Sequence, residues 1–191
     1  MDLDYLFTRT SGLETDRLFF RALTAEDADD YFLLASDPKV TTHTIWPRHE
    51  RLSDTHTYLK RVEEQNVLRH SYHWGIVLKS SGRLIGRIGI INVDGDHEKA
   101  ELGYALASEF WGQGFITEAG RRVVSFLFTE VGVHRLEARC SEHNPGSYRV
   151  MEKLGMTFEG LLREQLRIQG YFVNQRMYAM LQSDYNNASY R

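Results

Sequence analysis

Apolar positions along this chain switch repeatedly between a two-residue and a three-to-four-residue period, and each switch predicts a change of element. Arg17 to Leu23 is a compact aromatic run that reads as a first strand after the turn-like Glu14-Thr15-Asp16. Thr24-Ala25-Glu26-Asp27 then opens a helix, with Thr24 as N-cap and acidic residues where the helix dipole favours them. Tyr31, Leu34 and Ala35 form its apolar stripe, and Asp37-Pro38 stops it. A second helix runs to about Arg69, with Ser53 and Asp54 as candidate caps. Two strands follow, Ser71 to Lys79 and Arg83 to Val93, around the turn Ser80-Ser81-Gly82, with Trp74, Ile76 and Leu78 alternating along one face. Asp94-Gly95-Asp96 turns into Glu98 to Ala107, so three consecutive strands predict an antiparallel meander.

Beyond Ala107 the period lengthens. Phe115 to Glu130 places Ile116, Ala119, Val123, Phe126 and Leu127 on one helical side, and Gly132 breaks it before a strand from Arg135 to Cys140. Asn144-Pro145 opens another helix, since Asn is a strong N-cap and Pro suits the first helical position; Leu154-Gly155 ends it. Met156 to Ile168 and Tyr171 to Leu181 form a hairpin turning at Gln169-Gly170, and the polar tail Gln182 to Arg191 is expected to be loosely held. No repeat or low-complexity linker divides the chain, so its 191 residues predict one domain, with a core from about residue 14 to 181 between polar tails.

The junction between the third meander strand and the long helix carries the chemistry. Trp111-Gly112-Gln113-Gly114-Phe115-Ile116-Thr117 joins strand to helix through glycines, and first-turn N–H groups with no intrahelical partner suit a phosphate group. The dinucleotide fingerprint fails, because its third glycine position is Thr117, and the phosphate-loop pattern fails for want of Gly-Lys-Ser/Thr. A plain strand-to-helix turn would need the same glycines for backbone reasons alone.

Taken with Glu101-Leu102-Gly103-Tyr104-Ala105-Leu106, this stretch resembles the acetyl-CoA-binding motif of the GNAT N-acetyltransferases, nearest their RimJ/RimL-type branch, with Trp111 and Ile116 departing from the family's pattern. Asn144-Pro145-Gly146-Ser147, followed by Lys153-Leu154-Gly155-Met156, resembles the family's second motif, with Met156 in place of Phe. The resemblance extends from about Glu14 to Leu181. It implies an α/β (α+β) fold with a mixed, mostly antiparallel sheet of about seven strands flanked by helices. Backbone amides of Gly112, Gln113, Gly114, Phe115, Ile116 and Thr117 would hold the cofactor pyrophosphate. Backbone groups of Tyr104, Ala105 and Leu106 would pair with the pantetheine arm like an added strand.

Amine acetylation needs a neutral amine, a stabiliser for the developing oxyanion and a proton for the departing thiolate. By resemblance Glu101 is the first candidate for general base, with Glu164 as runner-up. Asn144 would bond the pantetheine or a site water, and Ser147 would protonate the thiolate, with the adjacent Tyr148 as its alternative. The expected reaction is direct attack in a ternary complex, without an acyl-enzyme. The branch favours the N-terminal α-amine of a protein, such as a ribosomal protein; a polyamine, amino sugar or amino-acid-like metabolite is the alternative acceptor. A non-catalytic acyl-CoA-binding module is the rival of a different class. Some similar enzymes are homodimers, so a homodimer is left open.

Composition narrows the partners. With 42% hydrophobic and 26% charged residues and a net charge of -3, the chain gives no polyanion-binding signature, so nucleic acid is not an expected partner. Cys140 is the only cysteine, which excludes an internal disulfide and favours a reducing compartment. Met1 to Gly12 lacks a basic start and apolar core, and no apolar run is long enough to span a bilayer, so the expectation is a cytoplasmic protein off the membrane. His43, His49 and His56 lack any metal-ligand spacing, and no metal is expected.

Overall fold

The computed structural model describes residues 1–8 and 12–187. Its strands are β1 (Leu18–Ala22), β2 (Tyr72–Leu78), β3 (Leu84–Asp94), β4 (Lys99–Leu106), β5 (Arg135–Ser141), β6 (Thr157–Ile168) and β7 (Tyr171–Leu181). Helices are α1 (Leu3–Thr8), α2 (Ala28–Ala35), α3 (Pro38–Thr41), α4 (Leu52–Val67), α5 (Phe115–Phe126), α6 (Pro145–Lys153) and α7 (Gln182–Asn187). The strands form one sheet in the order β1-β2-β3-β4-β5-β7-β6. Every neighbouring pair is antiparallel except β4 and β5, which run parallel. A parallel pair needs a crossover, and α5 supplies it.

Alternation along the strands feeds two cores. Ala100, Leu102 and Leu106 of β4 pack with Ala119 and Val123 of α5 and Met151 and Leu154 at the end of α6. Ala105 turns the other way, onto Tyr31 and Leu34 of α2 and Leu59 and Val62 of α4. β4 is thus buried on both faces, which fixes its register: a one-residue slip would exchange the two sets. Each fully buried Val, Leu or Phe contributes about 1.5–3 kcal/mol.

Several elements differ from the sequence expectation for local reasons. The turn after Thr24 is first a short 3₁₀ segment, Ala25–Asp27, held by the Thr24 N–H donating to the Asp27 carboxylate at 2.9 Å. Ser53 does not cap α4. Asp54 lies inside its first turn and accepts from the N–H groups of Glu50 and Arg51 at 2.9 and 3.0 Å. The long helix ends at Phe126 and continues as a wider π turn over Leu127–Val131. Neither terminus is a polar tail throughout. Leu6 of α1 is fully buried, and Tyr185 of α7 stacks on Phe128 at 5.0 Å and donates to Ser125 Oγ at 3.0 Å. The expected loose tail also includes residues 188–191, which lie outside the described residues.

Candidate active site

The sheet opens at its one parallel junction. β4 and β5 pair only through Lys99 with Arg135, Ala100 with Leu136 and Glu101 with Glu137. Beyond Glu101, β4 stays paired with β3 and β5 with β7, but the two no longer pair with each other. A wedge-shaped gap follows, edged by main-chain groups facing away from the neighbouring strand. Such groups seek partners, and an extended, amide-bearing arm can supply them as an added strand would.

An ion pair fastens the apex. Arg139 of β5 donates from Nε to Glu101 Oε1 at 2.9 Å and from Nη2 to Oε2. Glu101 is buried, and its bond raises the Arg139 pKa above its already high ordinary value. Both oxygens of the expected base are therefore engaged. Glu164, the runner-up, is exposed on the edge strand β6, with β7 between it and β5.

Glycines shape the open end. Gly112 and Gly114 have φ of +74° and +82°, a left-handed conformation that L side chains resist, and Gly114 caps α5 without a side-chain hydrogen bond. Glu118 N–H bonds back to Gly114 O at 3.0 Å, which closes the first turn and leaves Phe115, Ile116 and Thr117 with outward N–H groups. Arg17 ties the turn down: its Nη1 donates to Gln113 O at 3.2 Å, its Nε to Glu118 Oε2 at 2.7 Å, and its guanidinium lies 4.1 Å from the Phe115 ring centre. A cleft of about 650 Å³ lies here, lined by Gly114, Thr117, Arg121, Arg122 and Lys153, by Arg17 with its partner Glu118, and by Thr15 and Asp16. Cationic side chains and free helical N–H groups make a donor set that fits a pyrophosphate.

The α5/α6 face of the gap holds the second motif. Asn144 Oδ1 accepts from Ser147 N at 3.1 Å, capping α6. The Tyr104 hydroxyl reaches from β4 to this helix, donating to Ser147 O at 2.9 Å and lying 3.1 Å from Ser147 Oγ. Burial raises the Tyr104 pKa, against a smaller opposing effect of the Ser147 bond, so the phenol keeps its proton. Tyr148 instead lies against the guanidinium of Arg176, 4.4 Å from its ring centre. Cys140 is buried, and burial raises its thiol pKa.

Glu101, Tyr104, Ala105 and Leu106 thus line the β4 side of the gap, Asn144 and Ser147 lie across it, and Gly112 to Thr117 form its open end. Sequence reasoning did not find Arg139, Arg17 or the side-chain role of Tyr104. Each acts through a contact more than 30 positions away that no local pattern encodes. Among the described residues no three His, Cys, Asp or Glu side chains gather as a metal site.

The sheet is thus mixed and parted at its parallel junction, with a glycine-started helix at the mouth. Residues 17–157 match the family model described as an acetyltransferase (GNAT) domain, and the chain belongs to that family. It is 30% identical to the uncharacterized N-acetyltransferase YoaA of Bacillus subtilis, over 88% of this chain and 96% of that one. It is 29% identical to the spermidine N(1)-acetyltransferase of Vibrio cholerae, over 60% of this chain and 66% of that protein. The fold matches the structure of RimL, a ribosomal alpha-N-protein acetyltransferase in complex with coenzyme A, with a TM-score of 0.79 and 17% identity, covering 87% of this chain and 95% of that one. The chain is accordingly an acetyl-CoA-dependent N-acetyltransferase.

Proposed function

We propose that the acceptor is the N-terminal α-amine of a protein, such as a ribosomal protein, taken up on the face of the sheet that carries Glu101. The observation that carries this reading is the fastened apex, where Arg139 occupies both oxygens of Glu101. A carboxylate with both oxygens engaged has no open oxygen to take a proton directly. It suits an α-amine, whose reference pKa of about 7.7–8.0 leaves a useful neutral fraction near pH 7, better than a lysine-like amine near 10.4. RimL's acceptor agrees with this preference, whereas a polyamine would have to approach a face that carries Arg61 and Arg87.

Acetyl-CoA supplies the activated acetyl group, and the chain's residues arrange the rest. The N–H groups of Phe115, Ile116 and Thr117, with Arg121, Arg122 and Lys153 nearby, hold the diphosphate end. The β4 edge at Tyr104, Ala105 and Leu106 aligns the pantetheine. Glu101 orders a water that relays the amine proton out to solvent, since Arg139 holds its own oxygens in place. On the opposite face Ser147 Oγ gives a proton to the sulfur and regains one from solvent as CoA leaves, while the Tyr104 hydroxyl 3.1 Å away keeps its own proton and holds Ser147 in place. Cys140 takes no acyl group: it is buried and held as a thiol. Attack is therefore direct, within a ternary complex.

A screen with labelled acetyl-CoA tests the reading, using peptides with free N-termini beside spermidine and amino sugars. Transfer to peptide N-termini is expected. Transfer to spermidine or an amino sugar but to no peptide would overturn the acceptor assignment, and CoA binding without transfer to any amine would leave a binding module.

A further inference from the structure

On the same face as Glu101, one buried charge lacks a counter-ion. Arg87 lies on β3 opposite Ala105 of β4 and is only 8% exposed. Its Nη1 donates to Nδ1 of His73 at 3.1 Å. Its Nε makes no hydrogen bond, and the hydroxyl of the fully buried Tyr31 lies against Arg87 and Tyr58 without forming a well-aligned bond to either. Among the described residues no carboxylate pairs with Arg87; the groups acting on it are His73, Tyr31 and the Tyr58 ring, 6.0 Å away. His73 cannot supply the missing charge. Its Nδ1 accepts from Arg87, and burial, followed by the charges of Arg87 and Arg61, pushes its pKa down to about 3. Arg61 adds a second cation, on the exposed side of α4 and 5.7 Å from the same Tyr58 ring.

Removing an ion from water is unfavourable unless an opposite charge and hydrogen bonds replace the lost hydration. Here an unused donor, Arg87 Nε–H, and a poorly satisfied one, Tyr31 O–H, lie together with two guanidiniums and, among the described residues, no carboxylate paired to them. Along β4, Ala105 follows Glu101 on the same face, and the gap opens just after Glu101. At about 3.3 Å per residue, Arg87 lies some 7–13 Å along the strand from the point of acyl transfer. That is the span from an amine to the donors around a carboxylate about five to ten bonds away, with a hydrogen bond at its end.

We propose that Arg87 and Tyr31 form the floor of a subsite for a carboxylate of the acceptor, with Arg61 at its rim. The preferred acceptor is then an amine with a carboxylate close by, either a free acidic amino acid or a peptide with Asp or Glu at its first or second position. This rests on the acceptor face assigned above and deepens it.

The test is the ratio of kcat/KM for matched acceptors at saturating acetyl-CoA: Ser-Glu against Ser-Gln peptides, and glutamate against glutamine amide. In the wild type at least one ratio should exceed about tenfold, and which one does so identifies the source of the carboxylate. In Arg87→Met that ratio should fall towards one, and in Arg61→Gln, at an exposed position, by about threefold. Should Arg87→Met fail to fold, Arg87→Lys, which keeps the charge but loses the Nε–H donor, should lower the ratio at least threefold. Peptides acetylated with both ratios near one in the wild type, or a ratio indifferent to the Arg87 variant that folds, would overturn the subsite while leaving the α-amine reading intact. No acetylation of any peptide or amino acid would overturn both.

Discussion

Gly114 starts α5 at a φ of +82° with open space around its missing Cβ, apart from Arg17 Nη2 at 3.7 Å. The constraint there is conformational rather than steric, so Gly114→Val should cost about 1–2 kcal/mol in urea unfolding and turn the first N–H groups away from the cleft. Calorimetry should then show CoA binding weakened at least tenfold, and undiminished affinity would remove the cradle. His73 gives a residue-scale prediction of another kind. Its folded pKa of about 3 lies below the reference value of 6.5. Between those values the unfolded chain takes up a proton that the folded chain refuses, so stability falls as pH drops below about 6.5, by up to about 2 kcal/mol at pH 5. His43 and His49, also lowered mainly by burial, add with the same sign. Urea midpoints at pH 7 and 5 should therefore differ less in His73→Phe than in the wild type, and an equal difference would show that His73 does not bear the shift.

At the scale of elements, α6 shows how one residue can serve a fold and a site together. Asn144 caps it through Ser147 N, and the two roles separate by substitution. Asn144→Asp keeps a capping oxygen and should hold stability within a few tenths of a kcal/mol, yet it sets a negative charge near the departing thiolate and should lower kcat about tenfold or more. Asn144→Ala should lose about 1 kcal/mol as well as turnover. Wild-type kcat in the Asp variant would leave Asn144 with capping alone. The helix was legible because Asn-Pro and Leu-Gly are local signals, as were the β6–β7 hairpin, whose Gln169 and Gly170 both adopt positive φ, and the meander. α1 and α7 were not, since each is six residues long with little periodicity of its own. They are held by tertiary contacts such as Tyr185 against Phe128.

At the scale of the whole molecule, the sheet's parting is the feature that sequence patterning could not reach. Periodicity showed that β4 and β5 exist, and motif resemblance brought Glu101, Asn144 and Ser147 forward. That the strands are parallel, pair for three residues and separate at Glu101 depends on register between segments joined by a helix, as does the pairing of Glu101 with Arg139. That pair joins architecture to chemistry, and a double-mutant cycle can divide the two. Removing either partner leaves a largely buried charge unpaired, so Glu101→Gln and Arg139→Met should each destabilise by about 1–3 kcal/mol, and the double variant by less than their sum. If the pair only fastens the apex, kcat should follow stability and recover partly in the double variant. If Glu101 also orders the water that relays the amine proton, both variants lacking it should stay at least about a hundredfold slow at pH 7 and regain activity as rising pH deprotonates the α-amine unaided. Arg139→Met should show no such pH rescue. Single-turnover transfer from pH 6 to 9 distinguishes the two: parallel profiles in all three variants would confine Glu101 to holding the strands together.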